Sequence, residues 1–521
     1  MQEKTRTEYS ILNILTGIGG YALNTILGFV CRIVFVHFLS AEYLGINGLF
    51  TNVIGVLSLA ELGFGSAVVY ALYKPLAEHD TKKIASLVQL YGKVYRIIGV
   101  IVGVIGLLLL PFITKIIGTV PTIKESIYLL YGINLFNTAS TYFFSYKSSL
   151  IVAAQQNYLV AGINYIVTIT QSVLQMIYLW AFHDYLGYLI IQSIGTLLYN
   201  IIISKLASKK FPYINDKDIE PLPKEEKSKL FRNVRDLAIY KISGLLVNST
   251  DNILITFFKG LAITGIASNY TLLVNTIGGL LAQIFNGLTA SIGNHNALSS
   301  SEEQHKMFNF MNLMNYWIFG WATLGIIFCS TDFVSLLFGT DYVLDFSIPL
   351  VLAINFYTVG MQNAVWTYKQ TLGLFRYGRF LQIFTGIINI GLSILLGHLW
   401  GLFGILIATF FARLLTNLWY DPYVIFKHGF GISIKIYAKK YMAYLAVLLL
   451  NFVICYLLFE FINGNIWFNI VFHVLTVSLV FNLTFFVLFR RAEEFKKFKE
   501  VLLNAKRLVI NKIHKKENDN G

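Results

Sequence analysis

The sequence predicts an all-α polytopic membrane protein of about fourteen transmembrane helices: two six-helix lobes around a central hydrophilic cavity, plus two C-terminal helices. Three observations predict it. Hydrophobic residues fill 56% of the 521 positions and charged residues 13%, against about 25% charged in a typical soluble domain, and the mean hydropathy is +0.64. The apolar residues are gathered into long runs. The 41 lysines and arginines fall almost entirely in alternate gaps between those runs.

A membrane helix needs about 20 largely apolar residues. That criterion places spans at roughly 11–36, 43–72, 92–113, 125–146, 157–181, 187–204, 237–258, 263–292, 309–331, 347–367, 380–397, 401–421, 442–460 and 466–489. The first run begins after Lys4 and Arg6 and continues without a small-residue cleavage pattern, so it reads as a span and not as a removable signal peptide.

Lysine and arginine are retained on the cytoplasmic side of a membrane. One set of gaps (the N-terminus, 73–96, Lys147, 205–241, Lys306, 368–379, 427–440 and the tail) carries nearly all the basic charge. The other set holds Lys115, Lys124 and Lys259, while Arg32 and Arg413 remain inside spans. Both termini of this multi-pass membrane protein are therefore expected in the cytoplasm. A missed span would have scrambled the alternation downstream of it. The net charge of +14 thus serves topology, and nucleic acid is not an expected partner, because a polyanion reader gathers its charge on one exposed face. The outward gaps are too short for an external domain.

The longest inner gap is basic and proline-containing, and it divides the chain into an N-lobe at 1–204, a connector at 205–236 and a C-lobe at 237–426, followed by the last two spans at 427–489 and a basic tail at 490–521. The second half of the connector suits either an amphipathic helix on an anionic leaflet or a solvated loop.

Polar residues inside the spans are ordered. At 100° per residue, Asn13, Gly17, Tyr21, Asn24, Gly28 and Arg32 align in the first span, and Asn47, Thr51, Ser58, Glu61 and Gly65 in the second. Span five aligns Asn164, Thr168, Gln171, Gln175 and Tyr178, and span seven Gly244, Asn248, Asp251 and Asn252. Spans eleven and twelve add Arg379, Gln382, Gly386, Asn389, Ser393, Thr409, Arg413, Thr416 and Asn417. Such residues can join helices by hydrogen bonds, or they can wall a water-filled cavity. Stripes running most of a span's length, in both halves of the chain, favour the cavity. Arg32, Glu61, Asp251 and Arg413 add charges that each cost about 2.5–3.5 kcal/mol at a helix centre. Ion pairing is one reason to keep them; a transport site is the other.

A weak internal repeat matches EYLGINGLFTNVIGVLSLAELG, after span one, to LAITGIASNYTLLVNTIGGLLAQI, after span seven, with Gly45 opposite Gly265. Parallel repeats are a recurrent transporter design, with the site between the halves.

The segments EYLGINGLFTNVIGVLSLAELGFGSAVVYALYKPLAEHD and NSTDNILITFFKGLAITGIASNYTLLVNTI, with fourteen spans and a connector after the sixth, resemble the polysaccharide transporter family, the Wzx-type repeat-unit flippases of the MOP (multidrug/oligosaccharidyl-lipid/polysaccharide) exporter superfamily. The resemblance implies a V-shaped pair of six-helix lobes and translocation of undecaprenyl-diphosphate-linked oligosaccharides from the inner to the outer leaflet by alternating access, for capsule or exopolysaccharide biosynthesis. It implies cavity cations that hold the diphosphate. Arg32 is the best match and Arg413 the second. Lys369, Arg376 and Arg379 stand at the inner mouth, where they either collect the diphosphate or set topology.

The expected substrate-binding set is therefore Arg32, Arg413, Asn24, Asn47, Asn164, Gln171, Gln175, Asn248, Arg376 and Arg379, with Glu61 and Asp251 as candidates for coupling to H⁺ or Na⁺. Outward movement of a diphosphate away from an inside-negative cytoplasm gains about 2.3 kcal/mol per charge per 100 mV, so the potential is an alternative drive. Polysaccharide polymerase or assembly proteins are candidate partners. No cofactor and no metal is expected: Cys31, Cys329 and Cys455 lie singly within apolar runs.

Four alternatives remain. A flippase for lipid II shares the span count and a cationic cavity, and the EYLGINGLF and AELG segments rank it below a repeat-unit flippase; a teichoic-acid-precursor flippase is the second. A MATE-like drug or cation exporter generally has twelve spans and an acidic cavity, and two buried arginines count against it. A membrane glycosyltransferase or polymerase needs a large outward loop. Asp216-Lys217-Asp218 mimics a metal-binding pair, but lies among lysines in the connector. With no P-loop, GxSxG or HExxH, the chain reads as a non-enzyme.

Overall fold

A computed structural model describes residues 6–58, 64–117, 122–216, 219–228, 230–231, 234, 250–374, 377–378, 380–460 and 464–496. Among them there is no strand. In chain order the helices are α1 (Arg6–Phe38), α2 (Ala41–Leu57), α3 (Phe64–Ala77), α4 (Thr81–Leu109), α5 (Ile113–Ile117), α6 (Ile127–Thr141), α7 (Ser148–Ala153), α8 (Asn157–Phe182) and α9 (Tyr185–Lys210). They continue as α10 (Asp251–Leu298), α11 (Ser301–Phe338), α12 (Ser347–Met361), α13 (Asn363–Thr371), α14 (Leu381–Leu415), α15 (Asn417–Val424), α16 (Lys435–Glu460) and α17 (Ile466–Phe489). Nine helical stretches among the described residues are long and apolar enough to cross a membrane. The protein is an all-α, multi-span membrane protein.

Helix occupies the described part of each predicted span, though not always as one unbroken helix. In the second predicted span α2 ends at Leu57, and helix is described again from Phe64, as α3. Spans seven and eight share α10, which is broken at Gly260 (φ 82°, ψ 172°), and spans eleven and twelve share α14, broken at Gly401 (φ 61°, ψ −131°). Both glycines adopt positive φ, where a Cβ would be strained, and there the chain reverses without leaving a loop. Of span seven, 250–258 lies within the described residues. Several helices outrun their apolar segments. Helix α4 starts eleven residues before the predicted span, where the Asp80 carboxylate accepts from the Lys83 backbone N–H at 3.0 Å. Helix α11 starts on a capping box, in which Ser300 and Glu303 satisfy each other's backbone N–H groups.

The described residues form two compact units, Met1–Ser268 with Gln382–Ile405, and Asn269–Leu381 with Leu406–Gly521. In the second unit an aromatic core fastens α16 and α17 onto α11. Tyr316 stacks on Tyr444 at 4.6 Å between ring centroids, and a Cβ on Gly320 would lie 2.9 Å from the Phe481 ring. On the same helix face Trp317 donates to Asn482 at 2.9 Å and Trp321 to Ser478 at 3.0 Å. Helix α17 also exposes Val471, Leu475, Leu479, Leu483 and Phe486, an apolar stripe that water would not tolerate and lipid does.

Gaps that the charge alternation assigns to one side are found together. At one end of the first unit, Glu42 accepts from the backbone and hydroxyl of Thr122 at 2.9 and 3.0 Å, Tyr43 donates to Glu125 at 2.5 Å, and Phe38 meets His183 edge-on at 4.8 Å. The Gly260 and Gly401 turns also meet, through Phe258 against His398 at 4.7 Å. These residues lie in the gaps read as outward or within one residue of them. At another point of the unit the inward set gathers: Lys147 donates to Ser208 at 2.6 Å, Ser86 to the Glu220 carbonyl at 2.6 Å, and Lys83 pairs with Glu226 at 2.8 Å. In the second unit Ser301 donates to the Phe430 carbonyl at 2.8 Å and Lys440 pairs with Glu494 at 2.6 Å, again joining gaps of one predicted side.

Candidate substrate-binding site

Arg32 stands six residues before the end of α1, about 9 Å along the axis. It is half-buried, and its guanidinium donates to the Ser268 hydroxyl, which donates in turn to the Gly265 carbonyl at 2.6 Å. The Gly260 turn delivers Ser268 to this place. Across that turn the fully buried Thr256 and Thr264 hydroxyls are 3.0 Å apart, and Thr264 donates to the Gly260 carbonyl at 3.0 Å.

The arm of α10 after the turn lies directly against α2. A Cβ on Gly45 would stand 2.0 Å from the Leu261 carbonyl oxygen, and one on Gly265 would stand 2.0 Å from that of Ala41. Both glycines are thus backbone-to-backbone contacts, the close approach that small residues permit between membrane helices. On the arm before the turn, the Asn252 amide comes within 3.6 Å of a Cβ placed on Gly48. Asp251, half-buried, opens the described part of α10.

Asn24 lies two turns before Arg32 on α1, half-buried, and its side-chain oxygen has no hydrogen-bond partner among the described residues. Asn47 is half-buried on α2, and its carbonyl accepts from the exposed Thr51 hydroxyl at 2.7 Å. The α8 stripe divides. Asn164, Thr168 and Gln171, with Thr196 and Asn200 of α9 and Thr141 of α6, line a recess of about 360 Å³. Further along, Gln175 is buried and donates to the Tyr188 carbonyl at 3.1 Å, Gln171 donates to Gln175 at 3.4 Å, and Tyr178 donates to Asp184 at 3.1 Å. That half of the stripe knits α8 to α9. The α14 stripe in the first unit is likewise packed, with Asn389 and Ser393 fully buried.

In the second unit Arg413 is half-buried on the last turn of α14, next to Thr416, whose hydroxyl donates to Asn417 at 2.6 Å. Lys369, expected at the inner mouth, pairs with Asp421 at 2.6 Å; their side chains are 16% and 2% exposed. The Trp366 indole also donates to Asp421, at 3.3 Å. Sequence reading missed Asp421, although an acid at the end of an apolar run is itself a signal for a basic partner. Glu61, Asn248, Arg376 and Arg379 lie outside the described residues. Among the described residues, no group of three His, Cys, Asp or Glu side chains is placed to hold a metal ion.

The geometry offers an anion a guanidinium bonded to a neutral hydroxyl, and offers hydroxyl-bearing ligands a recess walled by amides and threonines. No protein-family model and no curated protein sequence matches the chain. Solved structures do. The lipid II flippase MurJ in an inward closed conformation is similar with a TM-score of 0.66 at 15% identity, over 93% of this chain and 99% of that one. An inward-facing multidrug resistance MATE family transporter of the MOP superfamily is similar with a TM-score of 0.52 at 16% identity, over 77% of this chain and 94% of that one. The chain has the fold shared by these membrane transporters.

Proposed function

We propose that this protein is a flippase that carries undecaprenyl-diphosphate-linked oligosaccharide repeat units from the inner to the outer leaflet by alternating access, in capsular or exopolysaccharide biosynthesis. Arg32 carries the proposal. A guanidinium in an apolar helix is expensive unless it serves a ligand or a partner, and Arg32 donates to the neutral Ser268 hydroxyl. A diphosphate is the ligand that a planar, permanently charged fork fits. Arg413, Asn24, Asn47, Asn164, Gln171, Gln175, Asn248, Arg376 and Arg379 complete the proposed binding set, with Glu61 and Asp251 as coupling acids. The proposed organisation keeps lobes at 1–204 and 237–426, fourteen spans, and both termini in the cytoplasm on the strength of the charge alternation.

Likeness to a lipid II flippase over 93% of the chain supports a lipid-linked substrate. It equally favours a second reading, in which lipid II itself is carried. The drug-exporter reading draws on the MATE likeness, which reaches 77% of the chain. The deciding experiment is leaflet translocation in proteoliposomes, with lipid-diphosphate oligosaccharides, lipid II and organic cations offered separately, with and without an imposed potential. Translocation of lipid-diphosphate oligosaccharides supports the proposal; transport of organic cations alone would overturn it.

A further inference from the structure

A second basic site lies in the first unit, away from Arg32. Lys93 and Arg96, one turn apart on α4, and Lys147, on the 3₁₀ turn Ser145–Lys147, line a recess of about 250 Å³. Its floor exists because residue 92 is glycine: a Cβ there would stand 2.9 Å from the Tyr146 ring. Its wall is the start of the connector, including Asn215 and Asp216. The wall is pinned: Asn215 donates to the Ser208 carbonyl at 3.1 Å and Ser86 to the Glu220 carbonyl at 2.6 Å.

Three cations thus converge without a carboxylate within salt-bridge distance of any of them among the described residues. Burial, and then the neighbouring Arg96 charge, push the Lys147 ammonium below the ordinary lysine range. An anion seated between them would relieve that repulsion.

The level of the recess on α4 identifies the source of the anion. Directly after Arg96 the helix exposes Ile97, Val100, Ile101, Val104, Leu107 and Leu108, so the cations stand where an apolar, lipid-facing surface begins. That is headgroup depth. Asp216 would repel a bare phosphate, and is satisfied when the ligand also carries hydrogen-bond donors. At about 30 Å³ per water, the volume holds roughly eight water-sized groups, enough for a phosphate and a small polar head.

We propose that this recess binds the phosphodiester of a membrane lipid whose head bears hydroxyl or ammonium donors, with Lys93, Arg96 and Lys147 on the phosphate and Asp216 on the donors. The site rests on the membrane reading of the fold and not on which substrate is transported. Binding there would tie the connector to α4.

The test is native mass spectrometry of the full chain in detergent, with phosphatidylglycerol, phosphatidic acid, dioleoylglycerol and inorganic phosphate added separately. Lys93→Ala/Arg96→Ala should lower retention of phosphatidylglycerol by about tenfold or more. Arg96→Lys should keep most of it. Asp216→Asn should retain phosphatidylglycerol while losing its preference over phosphatidic acid. Both exposed α4 cations can be replaced without opening the core, and an unchanged melting midpoint confirms this. Wild-type retention by the double variant, or equal retention of dioleoylglycerol, would overturn the site. Occupancy by inorganic phosphate as strong as by lipid would overturn its assignment to lipid.

Discussion

Gly45 and Gly265 face each other across two helices, each placing its bare backbone where a side chain would strike the other chain segment's carbonyl, 2.0 Å away in both cases. They are also the two positions matched by the internal repeat. The repeat copies therefore meet through the residue they share, and the contact holds α10 where Ser268 reaches Arg32. Because the obstacle is backbone and not a flexible side chain, Gly45→Ala or Gly265→Ala should lower stability by about 1–3 kcal/mol. Thermal unfolding in detergent measures it, and an unchanged midpoint for both variants would refute the contact.

Arg32→Ala should abolish surface polysaccharide and accumulate lipid-linked repeat units at an unchanged protein level, because the bilayer segment loses the charge proposed to hold the diphosphate. Extraction of cellular lipid-linked saccharides, with an immunoblot for the protein, reads both quantities. Normal polymer output would remove Arg32 from the site.

Lys369→Ala should be more damaging than its place near a helix end suggests. It strands the Asp421 carboxylate, 2% exposed, and breaking a buried pair from one side costs about 3–5 kcal/mol. Lys369→Leu/Asp421→Leu should recover much of that loss. A double variant as unstable as the single one would show that the pair is not the relevant partner.

The pairing of loops predicts labelling. In a background with Cys31, Cys329 and Cys455 replaced by serine, Thr122→Cys and His183→Cys should react with an impermeant maleimide from one side of the membrane, and Ser208→Cys from the other. A reporter fused after Gly521 should report cytoplasm. Thr122→Cys and Ser208→Cys labelled from the same side would contradict the alternation.

Glu494 predicts a pH dependence. Burial raises its carboxyl, but the hydrogen bond from Lys440 and the Lys440 charge bring it below the ordinary glutamate range. A carboxylate depressed in the folded state stabilises the fold above its unfolded value of about 4.3, and that contribution is lost as pH falls through the lower folded value. Glu494→Gln should therefore melt below wild type near neutral pH, with the gap closing in acid. A gap that persists unchanged into acid would exclude the Lys440 pair as its cause.

The linear order of residues was enough to place the described helices and to group gaps that the described contacts bring together. Hydropathy and the retention of basic residues act on each segment alone, so the runs and their alternating charge could be read without knowing any neighbour; Lys147 beside Ser208 and Glu42 beside Thr122 follow that reading. Tertiary structure decided partnership. Periodicity aligned Asn164 with Gln175, yet one lines a recess and the other is bonded to the α9 backbone, because a stripe defines a face and not what meets it. Lys369 found Asp421. Arg32 found a hydroxyl 236 positions away. Such contacts depend on how whole helices are laid side by side, a choice made by backbone clearance at residues such as Gly45 and Gly265, which no local pattern of polar and apolar residues encodes.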